Sequence, residues 1–393
     1  MFNQTPPFGE EFYPFLMKKI SFKKAIGQLH LWLGLSSGII VFIIAITGCL
    51  YAFQEEIQNY TEEYRFVEKQ AKPYLPPSQL ELIARNAVPD KMLHAIKYNS
   101  PEKSAEAIFY HYEPYYYYTI YLDPYSGKIL EKVNMEEGFF RFILDGHYYL
   151  WLPHEIGQIV VASATLVFLV LLISGLILWY PRNKNASKQR FRFKWKKGTK
   201  WKRKNYDLHN ITGFYLLLIA LIFAITGLVF GFQWFASSYY TVLGGEKSLV
   251  YQDPISSKSK LTVEKPLDKV WHLMQKKYPQ AKSIEVHPPE NDLTAIAANA
   301  NPEEGTFWKM DYHYFDQYTL EEKEVNHVFG KYKNAVISDK LMRMNYDMHT
   351  GAVLGLVGKT VAFIISLLIA SLPVSGFYIW WGRNKKGKKK IIE

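Results

Sequence analysis

The sequence predicts a membrane α-helical fold, four transmembrane helices in a tandem parallel repeat carrying two exported α+β domains. Four apolar stretches, roughly residues 26 to 53, 155 to 180, 208 to 235 and 357 to 381, each hold about 20 mostly apolar residues, enough to cross a bilayer as a helix. Polar segments, residues 54 to 146 and 236 to 345, alternate with them. The stretches also repeat in pairs. LHLWLGLSSGIIVFIIAITG opens with His30, and LHNITGFYLLLIALIFAITG opens with His209.

The elements follow in order. A cytoplasmic N-terminus (1–25) leads into the first span (26–53) and the first exported domain (54–146). An interfacial segment with the second span (147–181), a basic cytoplasmic loop (182–206) and the third span (207–235) come next. The second exported domain (236–345), an interfacial segment with the fourth span (346–382) and a basic tail (383–393) complete the chain.

Orientation rests on the basic residues. The net charge is +11, but the cations cluster beside the apolar stretches: Lys18, Lys19, Lys23 and Lys24, then Arg182 to Lys204, then Arg383 to Lys390. By the positive-inside rule these three regions and both termini are cytoplasmic, and the large polar segments are exported. Topology therefore accounts for the charge, and no nucleic-acid partner is expected; the partner surface is membrane lipid.

The single cysteine, Cys49, excludes an internal disulfide and a thiolate cluster, and no C-x-x-C-H occurs for covalent haem. Ile46-Thr47-Gly48-Cys49 looks like a lipoprotein cleavage site, yet Ile225-Thr226-Gly227 recurs internally where cleavage could serve nothing.

Both units of the repeat share further motifs. Each His is followed by Gly at the fourth position (Gly34, Gly213) and by Thr47-Gly48 or Thr226-Gly227. Ser174-Gly175 matches Ser375-Gly376, with Trp179 and Trp380, Arg182 and Arg383, and Gly157 and Gly358 at equal spacings. Arg141-x3-Asp145-x-His147 matches Arg343-x3-Asp347-x-His349. The units run from His30 to Arg182 and from His209 to Arg383, related by an axis along the membrane normal.

In each exported domain a helix precedes strands. Helices are expected from Pro76 through Val88 and from Glu264 through Lys277. Strands are expected at Tyr116 to Leu122, Lys128 to Val133, Trp308 to Tyr314 and Thr319 to Glu324. Of the run Tyr115 to Tyr118, alternate rings should face opposite sides.

The four duplicated histidines carry the chemistry. His30 and His209 fall at the cytoplasmic ends of their helices, His147 and His349 on the exported side, giving one pair per membrane face. Two neutral imidazoles facing across an axis are what bis-axial ligation of b-type haem iron requires, so two b-type haems would form an electron path. A metal site or a proton relay are the other readings. His154, after Pro153, is an alternative to His147 as ligand. Arg141 and Arg343 are candidates for haem propionates, or for salt bridges within the exported domains. The 32 residues from His349 to Trp381 would span about 48 Å as one helix, so Pro153 and Gly351, Gly355 and Gly358 are expected to bend the chain at the interface.

Together these motifs, with the turn Leu122-Asp123-Pro124-Tyr125-Ser126-Gly127, resemble the PepSY-associated transmembrane family over about Lys23 to Arg383. The resemblance implies PepSY-like exported domains and a bacterial inner-membrane, iron-regulated reductase passing electrons through two b-type haems to a periplasmic ferric siderophore. It implies His30, His147, His209 and His349 as ligands of the haem irons. The family often carries a basic residue where this chain has Gln158, while Lys359 keeps the charge in the second half. No Gly-rich dinucleotide loop occurs, so the expected electron donor is a separate cytoplasmic flavoprotein or a membrane quinol. The competing function is a non-redox membrane adaptor or transporter component whose exported domains bind a peptide or partner protein.

Overall fold

The computed structural model describes residues 21–181, 184–258 and 263–389. Lys18, Lys19, Arg182 and Lys390, used above for topology, lie outside the described residues.

Among the described residues, four helices are long and apolar enough to cross a membrane: Phe22–Tyr51, His154–Trp179, Trp201–Gly231 and Ala352–Arg383. The first half of the chain supplies α1 (Phe22–Tyr51), α2 (Gln54–Thr61), α3 (Pro77–Ala87), α4 (Phe139–Tyr149) and α5 (His154–Trp179). The connection holds α6 (Lys184–Arg190). The second half supplies α7 (Trp201–Asp207), α8 (Gly213–Gly231), α9 (Gln233–Val242), α10 (Pro266–Lys277), α11 (Ile337–Arg343), α12 (Asn345–Thr350) and α13 (Gly355–Lys389). Small and branched residues at the centre of the bundle, Val41, Ala45, Leu172, Leu216, Ala220, Ala224, Ile369 and Ala370, form its core. Small side chains let the backbones approach where lipid offers no hydrophobic drive.

The expected bends are present, and a glycine lets the backbone cross closely at each. After α4, Leu150 and Trp151 both take left-handed conformations before Pro153 starts α5. A Cβ on Gly157 would overlap the Tyr149 carbonyl, so the α4 end crosses directly over the first turn of α5. In the second half Gly351 (φ 80) and Gly355 (φ 61) turn the chain, and a Cβ on Gly358 would overlap the Gly351 carbonyl. Two close backbone crossings thus fold the short helices α4 and α12 back against the bundle. The third span begins at Trp201, earlier than the apolar pattern suggests, because the basic residues Lys202 to Lys204 continue the helix. It ends at Gly231, where Phe232 is extended.

The polar segments build one antiparallel sheet of eight strands in the order β4-β3-β2-β1-β5-β6-β7-β8. The strands are β1 (Ala95–Tyr98), β2 (Ala105–His111), β3 (Tyr116–Leu122), β4 (Ile129–Asn134), β5 (Ser283–His287), β6 (Ile296–Asn301), β7 (Asp311–Phe315) and β8 (Glu322–Lys323). The halves join where β1 pairs with β5, Ile96 opposite Val286 and Lys97 opposite Glu285. β7 and β8 are shorter than the pattern predicts. The backbone N–H of Trp308 donates to Asp347 instead of entering a ladder, and Asp316 closes the turn before β8.

One face of the sheet is covered by α3 and α10. Pro77, Leu80 and Ala84, and likewise Leu267, Val270, Trp271 and Met274, recur at helical spacing and bury one stripe each. They pack on Ile96, Ala107, Ile120, Val286 and Ile296. Asp268 of α10 ties the two helices by accepting from the Ser78 N–H (2.8 Å) and hydroxyl (2.7 Å). The opposite face carries polar residues. Of the tyrosine run, Tyr116 and Tyr118 pack on the core and Tyr117 turns to the polar face.

Two predictions follow from these contacts. Gly358→Val drives a side chain into the Gly351 carbonyl and is expected to cost about 3 kcal/mol, read as a lowered thermal midpoint of the purified protein in detergent. Burial alone would raise the Asp316 carboxyl, but the N–H groups of Ser257, Tyr318 and Thr319 and the Lys323 ammonium hold it down at about 2. Its contribution, about 2 kcal/mol, is therefore complete above pH 4 and lost as pH falls toward 2. Asp316→Asn should flatten the stability profile across that window, followed by urea unfolding at each pH.

Candidate functional site

Each of the four histidines is held at Nδ1 by a neighbouring helix in the same way. His30 on α1 meets the Ser174 hydroxyl of α5 at 2.9 Å and the Leu171 carbonyl. His209 lies in a π-helical turn, Leu208–Thr212, and reaches the Leu372 carbonyl (3.1 Å) and Ser375 hydroxyl (3.0 Å) of α13. His147 on α4 reaches the Ile44 carbonyl (2.8 Å) and Thr47 hydroxyl (3.3 Å) of α1. His349 on α12 reaches the Thr226 hydroxyl (2.8 Å) and the Phe223 carbonyl of α8.

The anchor is always a carbonyl and a hydroxyl three residues later. Each hydroxyl donates back along its own helix: Ser174 to the Leu171 carbonyl and Ser375 to that of Leu372, Thr47 most closely to Ile43 (2.8 Å) and Thr226 most closely to Ile222 (2.6 Å). Its oxygen lone pair is then left to accept from the ring. Because a carbonyl can only accept, Nδ1 carries the proton and Nε2 keeps its lone pair. Nε2 has no hydrogen-bond partner among the described residues.

The glycine after each hydroxyl makes room for the ring. A Cβ on Gly175 would lie 3.4 Å from His30 Cε1, on Gly376 3.3 Å from His209 Cε1, on Gly48 3.2 Å from His147 Cε1, and on Gly227 3.4 Å from His349 Cε1. The Ser-Gly and Thr-Gly pairs visible in the sequence therefore seat the histidines, a role that their spacing alone did not disclose. In the second half, Asn205 and Asn345 stand four residues before His209 and His349. Their amides bond the carbonyls of Ser375 (2.9 Å) and Thr226 (3.1 Å), bracing the same two anchors.

The rings pair across the halves. His30 faces His209 with ring centres 6.3 Å apart and planes at 84°, and His147 faces His349 at 6.1 Å and 61°. His147 lies between Ile44 and Gly48 of α1, so the two pairs stand about 21 to 27 Å apart along that helix.

Three other expected site residues fall elsewhere. His154 is exposed at the start of α5, against the Tyr149 ring, and does not line the site; His147 is the residue that faces His349. Arg141 pairs with Glu136 (2.6 Å) and Asp145 (2.8 Å). Arg343 is buried and donates to the Met310 and Gly330 carbonyls. Both guanidinium groups are thus committed to protein acceptors. Of the aspartates two residues before His147, His209 and His349, Asp207 accepts from Trp195 and Arg203, and Asp347 from the N–H groups of Phe307 and Trp308.

A cavity of about 750 Å³ opens from the His147–His349 pair toward the polar face of the sheet. Its lower walls are Gly48, Thr165, Phe168, Phe223, Gly227 and Ala362, and its ceiling includes Lys97, Glu106, Glu285 and Asn299. Lys359 lines it and is paired with Glu56 (2.8 Å) and Glu55 (3.5 Å); Gln158 lines it too.

Comparison with known proteins places this bundle. The family described as the PepSY-associated TM region matches residues 28–383. The chain belongs to that family. It is a multi-pass membrane protein. No curated protein matches the sequence.

Within this PepSY-associated membrane protein, the donor set tests what the pairs could hold. An atom bonding one nitrogen of each ring at about 2 Å, with about 1.1 Å from nitrogen to ring centre, sets the centres about 6 Å apart. Both pairs have that separation. Among the described residues no three His, Cys, Asp or Glu side chains converge as a metal site. A metal held here would take two ligands from the protein and bring its remaining donors with it, as a metalloporphyrin does. The residues present fit a haem.

Thr226→Val keeps the shape of the anchor and removes the hydroxyl at His349 Nδ1. It is expected to weaken binding of a ferric porphyrin about 10- to 100-fold, measured by titrating the haem-free protein, whereas His154→Ala should leave the titration unchanged.

Proposed function

We propose that this chain is an inner-membrane dihaem b reductase that moves electrons across the membrane to a periplasmic ferric siderophore, releasing ferrous iron. One observation carries the reading: two histidine pairs, each with Nδ1 locked, Nε2 free and ring centres 6.1 to 6.3 Å apart, stacked along one bundle. In this reading the chain is a tandem duplication, both termini and the basic loop are cytoplasmic, and the sheet is exported.

His30 and His209 would hold one haem near the cytoplasmic face and His147 and His349 the other toward the sheet. Bound there, haem supplies a one-electron ferric/ferrous couple within the apolar bundle. The chain's own residues do the rest. The carbonyl and hydroxyl anchors fix the imidazole planes and keep Nε2 basic. Phe168, Phe223 and Phe230 wall the lower cavity with apolar surface, while the polar residues Gln54, Gln58, Asn59 and Asn99 line the space above, where a polar chelate would sit. Reduction loosens the chelate because the ferrous ion is bound less tightly by hard oxygen donors. The electron donor in this reading is a separate cytoplasmic flavoprotein or a membrane quinol.

Protein purified from membranes is expected to carry two haems per chain, quantified as the pyridine haemochrome, and His209→Ala one. Purified protein without a low-spin haem spectrum would sink the proposal. Reoxidation of the reduced protein by a ferric siderophore, followed at the haem bands, tests the acceptor.

A further inference from the structure

The ceiling of the cavity holds a row of polar side chains that the proposed electron path does not use. Strand pairing sets Glu106, Lys97, Glu285 and Asn299 side by side on β2, β1, β5 and β6, and residues paired directly across a sheet point to the same face. All four line the cavity. One cation therefore stands between two carboxylates.

The two carboxylates are treated differently. Glu106 accepts from the Lys97 ammonium (3.3 Å) and from the Asn99 amide (2.8 Å), which accounts for one negative charge. Glu285 instead lies 3.3 Å from Nε2 of His287. His287 bonds the His94 carbonyl through its ring, and Nε2 already accepts from the Asn299 amide at 3.2 Å, so Nε2 is the lone-pair nitrogen. With that lone pair taken and Nδ1 turned to the His94 carbonyl, His287 offers Glu285 no donor, so a carboxylate there would have no charge partner of its own while Lys97 is bonded to Glu106. The polar pair also departs from the repeat. Aligning Tyr121 with Tyr314, as the matching turns require, puts Ala95 and Ile108 of the first half where the second has Glu285 and Asn299.

We propose that Glu285 is the proton donor of the reaction, protonating a donor oxygen of the ferric chelate as the iron is reduced. The proposal rests on the reductase reading. In the step, one electron arriving from the separate reductant by way of the histidine-held couple reduces ferric to ferrous iron. An iron–oxygen bond breaks with both its electrons on oxygen, and the Glu285 proton forms the new O–H bond. Glu285 is left as carboxylate and is reprotonated by water in the cavity that it lines.

The surroundings suit that role. Burial raises the Glu285 carboxyl above its ordinary range, against the pull of Lys97 and His94 and with the help of Glu106. Burial also keeps His287 neutral, at about 4. Tyr117 of β3 and Tyr312 of β7 complete the titratable groups that Glu285 meets, and both phenols are held un-ionised, chiefly by burial. A fifth of the Glu285 side chain stays open, and it lines the cavity where a chelate would sit.

The test uses the full chain, haem-loaded, in lipid nanodiscs at neutral pH. Infrared absorption should show an un-ionised carboxyl stretch that is lost in Glu285→Gln and kept in Glu55→Gln. Dithionite-reduced protein is then reoxidised either by a ferric trihydroxamate complex or by hexacyanoferrate(III), which accepts an electron without needing a proton. For Glu285→Gln the ratio of the first rate to the second is expected to fall about 10²-fold. A carboxyl band that survives in Glu285→Gln, or an unchanged ratio, overturns the proposal while the reductase reading stands. Wild-type protein that hexacyanoferrate reoxidises and the chelate does not overturns the reductase reading and the role of Glu285 together.

Discussion

The hydrogen bond from imidazole Nδ1 to a helix carbonyl and the hydroxyl three residues on is the contact around which the bundle is built. It fixes the tautomer, since only an N–H can meet a carbonyl. It fixes the ring plane, since the hydroxyl oxygen closes the second side. It also fixes how close two helices stand, because the ring must reach across to an acceptor while a glycine on the facing helix gives way. A neutral ring whose Nδ1 is bonded costs little to bury; a ring with neither nitrogen bonded would cost several kcal/mol. The free Nε2 is thus the one valence that each histidine brings to the centre of the bundle.

Anchoring and pairing divide differently between the halves. His30 is anchored by Ser174 and His147 by Thr47, all in the first half; His209 by Ser375 and His349 by Thr226, all in the second. Each facing pair, however, takes one ring from each half. Every half is a complete holder and an incomplete site. The sheet continues this logic above the bundle, where β1 of one half and β5 of the other share a ladder and Asp268 reaches across to Ser78.

Much of this was legible in the sequence because it is local or periodic. Twenty apolar residues mark a span wherever they occur, and the repeated His, Thr-Gly and Ser-Gly positions named all four residues that the fold brings into pairs. His154 could not be separated from His147 by composition, since both stand near the same helix start. Only the crossing of Tyr149 over Gly157 sends one ring inward and leaves the other exposed. Arg141 and Arg343 left two readings open for a related reason, and Arg141 takes the salt-bridge one, with Glu136 and Asp145. A guanidinium looks available until its partners are known, and those of Arg343, the Met310 and Gly330 carbonyls, are backbone groups with no signature in the sequence. The single sheet was equally hidden. Nothing about Ala95–Tyr98 or Ser283–His287 announces a partner nearly 190 residues away along the chain.

That seam bears on how the protein is made. When the ribosome has produced only the first half, β1 is an open edge of a finished four-stranded sheet, with unpaired N–H and C=O groups and a lysine in its middle. Open edges are templates for pairing with other chains. The strand that closes this one is tethered to it by the following two spans, so the same polypeptide delivers its own cover at high local concentration. Lys97, facing no opposite charge beyond Glu106 until Glu285 arrives, discourages a copy of β1 from docking there first, because two lysines would then meet. The edge is guarded while it waits.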